Sequence, residues 1–248
     1  MISVCMLSKN SAATIANALA SVSTFAEVIL LDNNSTDDTL VIARQFPNVR
    51  IINHPFIGFG PLRNAAAAYA ANDWILALDT DEELSSPLLA EIASLPLDPA
   101  LTYSMPRHNC YNKKHIKGCG WHPDRVVRLY YRKNARYSED QVHESVLSPF
   151  TPRQLQNPIL HTPFRSTTQF LAKMEHYSTL FAEQYAGKKK GSPLKAILHS
   201  CFAFIRSYFL RMGWKLGAEG FIVSLYNSNS TFYKYIKLWE KNDHCKRD

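Results

Sequence analysis

Cysteine is scarce in this 248-residue chain, and the five present (Cys5, Cys110, Cys119, Cys201 and Cys245) are odd in number, scattered and without a C-x-x-C pair. That argues against a disulfide framework or a zinc knuckle and fits a reducing cytosol. Glycine is also sparse, nine residues beside 13 prolines, with no G-X-Y period and no repeat at solenoid or propeller spacing, which excludes collagen-like and repeat architectures. No stretch reaches the roughly 18 uncharged apolar residues of a spanning helix, because Arg206, Arg211 and Lys215 interrupt the best candidate. The opening Ile2-Ser3-Val4-Cys5-Met6-Leu7 lacks a basic n-region and a cleavage site, so a first strand is expected there and not a signal peptide.

What is present suits a folded α/β protein: 46% hydrophobic and 20% charged residues are enough for one sizeable core. The net charge of +7 is unevenly placed, with 13 basic and 15 acidic residues in 1–150 against 15 and 6 in 151–248. A basic tail suits nucleic acid, anionic lipid or a phosphorylated substrate alike, and no nucleic-acid recognition motif accompanies it.

The first hundred residues alternate strand-like runs (3–7, 27–32, 49–53, 74–78) with helical patterns (11–22, capped by Asn10, then 37–46, 61–71 and 87–95), the signature of a parallel sheet built from βα units. Short mixed strands follow to about residue 160, Arg125–Tyr131 the clearest, and helices dominate from Thr167. In the last region Leu194, Ile197, Leu198, Cys201, Ile205, Tyr208, Phe209 and Met212 keep helical spacing with basic residues between them. That pattern fits both an ordinary helix docked on the core and an interfacial helix on anionic lipid.

Two acidic clusters end buried strands. Asp79 and Asp81, one residue apart after Leu76-Ala77-Leu78, point the same way from extended chain and can converge on one hard cation and nearby sugar or phosphate oxygens. Asp32 holds the equivalent place after the 27–31 run, where open α/β sheets bind ligands, while Ser35 or Asp37 is expected to cap the next helix.

The run from Val28 through Asp32-Asn33-Asn34-Ser35-Thr36-Asp37-Asp38-Thr39, then Gly60-x-x-Arg63-Asn64-x-Ala66, then Asp79-Thr80-Asp81, resembles the nucleotide-sugar half of family 2 glycosyltransferases, over roughly residues 1–150. A narrower likeness, carried by Gly120-Trp121-His122-Pro123-Asp124-Arg125-Val126-Val127-Arg128-Leu129-Tyr130, Val142-His143-Glu144, Ile159-Leu160-His161 and the tail around Arg211-Met212-Gly213, is to the bacterial lipopolysaccharide and lipooligosaccharide core β-1,4-glucosyltransferases. The resemblance implies a GT-A fold: a single mixed-sheet α/β domain over 1–165, donor half about 1–100 and acceptor half about 101–165, with a helical, basic, membrane-associated appendage over 166–248.

It further implies an inverting transferase that uses Mg²⁺ or Mn²⁺ and moves a hexose, glucose from UDP-glucose in the first place, to a lipid-anchored core oligosaccharide, peripheral on the cytoplasmic face of the inner membrane; another donor sugar with another cell-envelope glycan or lipid-linked acceptor is the alternative. Asp32, Asn34, Arg63 and Asp79 would then bind the donor, and Asp81 with Asp79 the cation. His161 is a further candidate ligand, a structural hydrogen bond being its ordinary alternative. The base that takes the acceptor proton would be Glu144, with Asp140 and Asp124 in reserve and His143 able to orient Glu144. Trp121 and Arg128 would meet the acceptor, although core packing explains an isolated aromatic equally well. Lys113, Lys114, Lys117, Arg125 and Arg128 form a basic group suited to an acidic acceptor or to an ordinary solvated loop.

Other classes fit less well. A haloacid-dehalogenase-type phosphatase wants Thr or Val where Glu83 stands, and a sugar-nucleotide pyrophosphorylase wants a Gly-rich loop where Ser8-Lys9-Asn10-Ser11 stands. A membrane-docking module that binds nucleotide sugar without turnover is the non-enzyme alternative.

Overall fold

The structure, a computed structural model, describes residues 1–140 and 144–244; His143 and Cys245 lie outside them. Two compact units are formed, one by Met1–His108 with Asp124–His161, the other by Asn109–Pro123 with the chain from Thr162 onward. The segment 109–123 thus belongs with the C-terminal helices and not with the sheet that flanks it in sequence.

The first unit begins with β1 (Ile2–Ser8), α1 (Ile15–Ser21), β2 (Glu27–Asp32), α2 (Thr39–Ala43), β3 (Val49–Asn53), α3 (Phe59–Tyr69) and β4 (Trp74–Asp79). β3, β2, β1 and β4 lie side by side, all parallel. Successive side chains leave a strand on opposite faces, so Val4, Met6, Leu76 and Leu78 pack with Ile15 and Leu19 of α1, while Cys5, Ile75 and Ala77 pack with Leu62 and Ala66 of α3. With both faces covered, β2 and β4 are nearly continuous apolar runs, as buried parallel strands require, while the edge strand β3 carries the exposed Arg50.

Beyond β4 come β5 (Glu82–Leu84), α4 (Ser86–Ala93) and β6 (Thr102–Tyr111), then β7 (Lys114–His115) of the second unit and β8 (Arg125–Tyr131). The direction now reverses: β8 runs antiparallel to both β4 and β6. A hairpin of β9 (Arg136–Tyr137) and β10 (Val146–Leu147), then β11 (Arg153–Gln154) and β12 (Ile159–His161), complete the unit, β12 pairing antiparallel with β5 so that His161 faces Glu82 in the register. This mixed sheet is the α/β core expected.

The second unit holds α5 (Thr167–Tyr185), α6 (Pro193–Ile205) and α7 (Ala218–His244) around an aromatic cluster of Tyr111, Phe164 and Phe170. The apolar stripe read in the sequence does not face inward. Ala196, Ala203 and Ser207 take the buried side, while Leu194, Leu198, Phe202, Phe209 and Leu210 are 55–68% exposed. Among the described residues no helix is long and apolar enough to cross a membrane.

Asn10 does not cap α1, whose N-cap is Thr14. It adopts a positive φ of 49° and its side chain instead accepts the Thr36 N–H at 2.8 Å, because an Asn in a left-handed turn can satisfy a neighbouring loop.

Candidate active site

Asp79 ends β4, and its two carboxylate oxygens each receive a guanidinium: Oδ1 from Arg63 Nη2 at 2.7 Å and Oδ2 from Arg128 Nη2 at 2.5 Å. Arg63 also donates from Nε to Glu144 Oε1 at 2.7 Å. On the other side Arg128 bonds Glu82 Oε1 at 2.6 Å, and Arg107 joins Glu82 at 3.1 Å to Asp124 at 2.8 Å. The result is one unbroken chain, Glu144–Arg63–Asp79–Arg128–Glu82–Arg107–Asp124, in which carboxylates and guanidiniums alternate.

Burial penalises ionisation of Asp79, but the charges of Arg128 and Arg63 outweigh it and hold the carboxyl well below the usual carboxylate range. Burial likewise opposes the charge on Arg63, and Asp79 and Glu144 reverse that and push it up. Asp79, Arg63, Arg107 and Arg128 are therefore charged at neutral pH.

The Gly60-x-x-Arg63-Asn64 motif builds this arrangement mechanically. A Cβ at Gly60 would overlap the Ser138 carbonyl oxygen, so the absence of a side chain lets α3 lie against the end of β9. Gly60 N–H then bonds the Asp140 carbonyl at 3.1 Å. Asn64 pairs with Tyr137 like a neighbouring strand, accepting its N–H at 2.9 Å and donating to its carbonyl at 3.0 Å. The hairpin that carries Asp140 and Glu144 is thereby fixed to the helix that carries Arg63.

Asp32, at the end of β2, is fully buried. Its oxygens accept from Ser8 Oγ at 2.7 Å, Ser35 Oγ at 2.6 Å and Ser35 N–H at 2.8 Å, so it shapes the 33–36 loop, whose tip is the exposed Asn34 at a positive φ of 53°. Ser35 is spent on Asp32, and Asp37, just ahead of the N-cap Asp38, accepts the Thr39 N–H at 3.1 Å.

Asp81 stands apart from the ion chain. Its Oδ2 lies 3.4 Å from His161 Nε2, brought there by the pairing of β5 with β12. Among the described residues no three His, Cys, Asp or Glu side chains form a metal cage, and both oxygens of Asp79 are occupied by arginine. A carboxylate and an imidazole are two of the ligand types that divalent cations accept.

The sequence profile of glycosyl transferase family 2 matches residues 3–181. The chain belongs to glycosyltransferase family 2. An uncharacterized glycosyltransferase of Rickettsia felis is 31% identical over 255 residues, covering 96% of this chain and 89% of that protein. The lipopolysaccharide core biosynthesis glycosyltransferase LpsC of Rhizobium meliloti is 24% identical over 247 residues, covering 94% and 90%. Among solved structures, S. aureus TarS 1-349 in complex with UDP-GlcNAc matches 99% of this chain and 91% of that one at 15% identity and a TM-score of 0.47. The resemblance read from the motifs is thus borne out at the level of family and enzyme class.

Within this family 2 glycosyltransferase the other expected site residues are distributed unevenly. Arg128 is only 5% exposed and spends its guanidinium on Asp79 and Glu82, which places it inside the ion chain and not on an acceptor-facing surface. Asp140 is exposed, and its backbone carbonyl accepts the Gly60 N–H. Trp121 belongs to the second unit, where its ring stacks on Phe164 at 5.7 Å. The expected basic group is dispersed: Lys114 bonds Glu219, and Arg125 bonds the Leu155 carbonyl. Two residues central to the chain, Glu82 and Arg107, escape sequence reasoning. Glu82 has no exposed surface, and only its place three residues after Asp79, whose N–H its Oε2 accepts at 3.1 Å, could have pointed to it.

Proposed function

We propose that this family 2 glycosyltransferase inverts the anomeric centre of a UDP-hexose, UDP-glucose by the likeness of its sequence, in transfer to a lipopolysaccharide or lipooligosaccharide core acceptor. The observation that carries the reading is the direct link from Glu144 through Arg63 to Asp79, which ties the candidate base to the end of the donor-side strand. The distant relative named for lipopolysaccharide core biosynthesis supports the class of acceptor.

Glu144 presents one oxygen to Arg63, leaving the other for the acceptor hydroxyl. As the acceptor oxygen forms its bond to the anomeric carbon, its proton passes to Glu144 and the bond from that carbon to the diphosphate breaks, the electron pair leaving with UDP. Asp124 and Asp140 are the alternative bases. The Asp32–Asn34 loop flanks the nucleoside and Asp79 orients Arg63 toward the diphosphate. Asp81 and His161 would hold Mg²⁺ or Mn²⁺, which when bound neutralises charge on the departing diphosphate.

A peripheral site on the cytoplasmic face of the inner membrane follows from the same reading. Residues 184–218 contain seven Lys or Arg and no Asp or Glu, and the apolar side chains of α6 point outward. That combination suits anionic lipid.

The test is UDP release from a panel of UDP-hexoses with a heptose-containing core lipid, with Mn²⁺, Mg²⁺ or EDTA, beside Asp81→Ala. Metal-dependent release with one sugar, stimulated by the lipid and lost in the variant, is expected. Release with no sugar would overturn the donor assignment, and release unaffected by EDTA and by the variant would remove the cation.

A further inference from the structure

The second unit holds a concavity of about 400 Å³ lined by none of the residues given a part in the proposed transfer step, a size suited to a small ligand. Arg206, Arg211 and Lys234 all line it. The acids of this unit that form ion pairs are committed elsewhere, Glu175 to Lys237, Glu183 to Lys241 and Glu219 to Lys114. Arg206, Arg211 and Lys234 have no carboxylate partner among the described residues. Three uncompensated cations around one concavity attract a compact anion.

Local backbone structure assembles them. In an α-helix, residues five apart are turned about 140° from each other, which would send Arg206 and Arg211 to different sides. The turn Arg206–Leu210 is a π-turn instead, closed by the bond from Arg211 N–H to the Arg206 carbonyl at 2.8 Å, and both arginines line the one cavity. Such turns are rare and concentrate at functional sites. Gly120, at a φ of 85°, leaves open the space that the Arg211 guanidinium fills, which a Cβ would occupy.

The wall beneath is rigid and polar. Ser207, 3% exposed, donates to Ser224 Oγ at 3.0 Å, and Asn227 donates to Ser207 Oγ at 3.0 Å and to the Cys119 carbonyl at 3.1 Å. Trp121, Tyr177 and Tyr226 supply aromatic surface to the same cavity, the kind of face that packs on sugar C–H groups or on a lipid's glycerol.

We infer that this cavity is a binding site for a phosphomonoester, borne on a sugar or on a lipid headgroup, separate from the donor site. Guanidinium groups match phosphate oxygens in pairs, and losing one charge-assisted contact costs about ten-fold or more in affinity. The inference does not depend on the proposed donor or acceptor.

Calorimetric titration of the full chain with inorganic phosphate, glucose 6-phosphate, dihexanoyl phosphatidic acid and glucose tests it. Saturable binding of phosphate-bearing probes and none of glucose is expected, weakened about ten-fold or more by Arg211→Gln and by Lys234→Gln. Arg211→Lys should recover part of the loss, and Arg44→Gln, exposed and outside the cavity, should bind as the parent does. Preference for glucose 6-phosphate assigns a glycan source and preference for the phosphatidic acid a lipid source; either supports the site. No saturable binding, equal loss in Arg44→Gln, or displacement by UDP would overturn it, the last by placing the phosphate in the donor site.

Discussion

At Glu82 a carboxylate without exposed surface receives two guanidiniums and a backbone N–H. A buried pair broken from one side leaves the other charge stranded, at a cost of about 3–5 kcal/mol. Glu82→Ala should therefore lower unfolding free energy by about that amount in urea titration, while Glu83→Ala next door should change it by less than about 1 kcal/mol. For Asp79 the sign of the pH effect follows from its depressed pKa. Because the folded carboxyl titrates below its unfolded value of about 3.9, its contribution is present above about pH 4 and is lost as pH falls further. Asp79→Asn should be less stable at pH 7, and its stability should fall less steeply with acid than the parent's; parallel curves would contradict this. In transfer, Glu144→Gln should cost about 10²–10⁴-fold in kcat with UDP affinity retained, measured by UDP release and by titration; normal kcat would pass the role to Asp124 or Asp140.

At the scale of elements, α3 and the β9–β10 hairpin act as one piece because Gly60 and Asn64 meet backbone at Ser138, Tyr137 and Asp140. Gly60→Ala should separate them, costing about 1–3 kcal/mol by overpacking and lowering transfer together with Tm, since Glu144 rides on the hairpin; transfer at the parental rate would show that the base is not carried there. This is also where sequence reasoning succeeds and stops. The strands 27–32, 49–53 and 125–131 were legible to the residue because apolar runs bounded by turn residues leave few alternatives. The motif residues Asp32, Arg63 and Asp79 could be named in advance, but what they bond could not. Glu82 and Arg107 were missed because their partners arrive through antiparallel pairing of β8 with β4 and β6, contacts far apart in sequence. The period of α6 was legible and its direction was not: spacing identifies an apolar face, whereas only the packing of Ala196 and Ala203 shows that small residues turned inward and large ones out.

Across the whole molecule, charge and apolar surface are segregated together. Residues 1–150 carry slightly more acid than base, while the stretch 184–218 carries base alone and displays Leu194, Leu198, Phe202, Phe209, Leu210 and Trp214 at 53–68% exposure. Scattered exposed apolar residues need no explanation, but a run of this kind on one segment does. Electrostatic attraction alone would make association with anionic vesicles strongly salt-sensitive and indifferent to the aromatics, whereas apolar insertion alone would ignore lipid charge. With both present, binding to phosphatidylglycerol-containing vesicles should exceed that to pure phosphatidylcholine and weaken with salt. Burying one large apolar side chain is worth about 1.5–3 kcal/mol, so Phe209→Ser with Trp214→Ala should reduce cosedimentation by about ten-fold or more without altering UDP release from soluble donor. Cosedimentation unchanged in that double variant would leave the basic residues as the sole contact, and the outward apolar face would then require a protein partner in place of a bilayer.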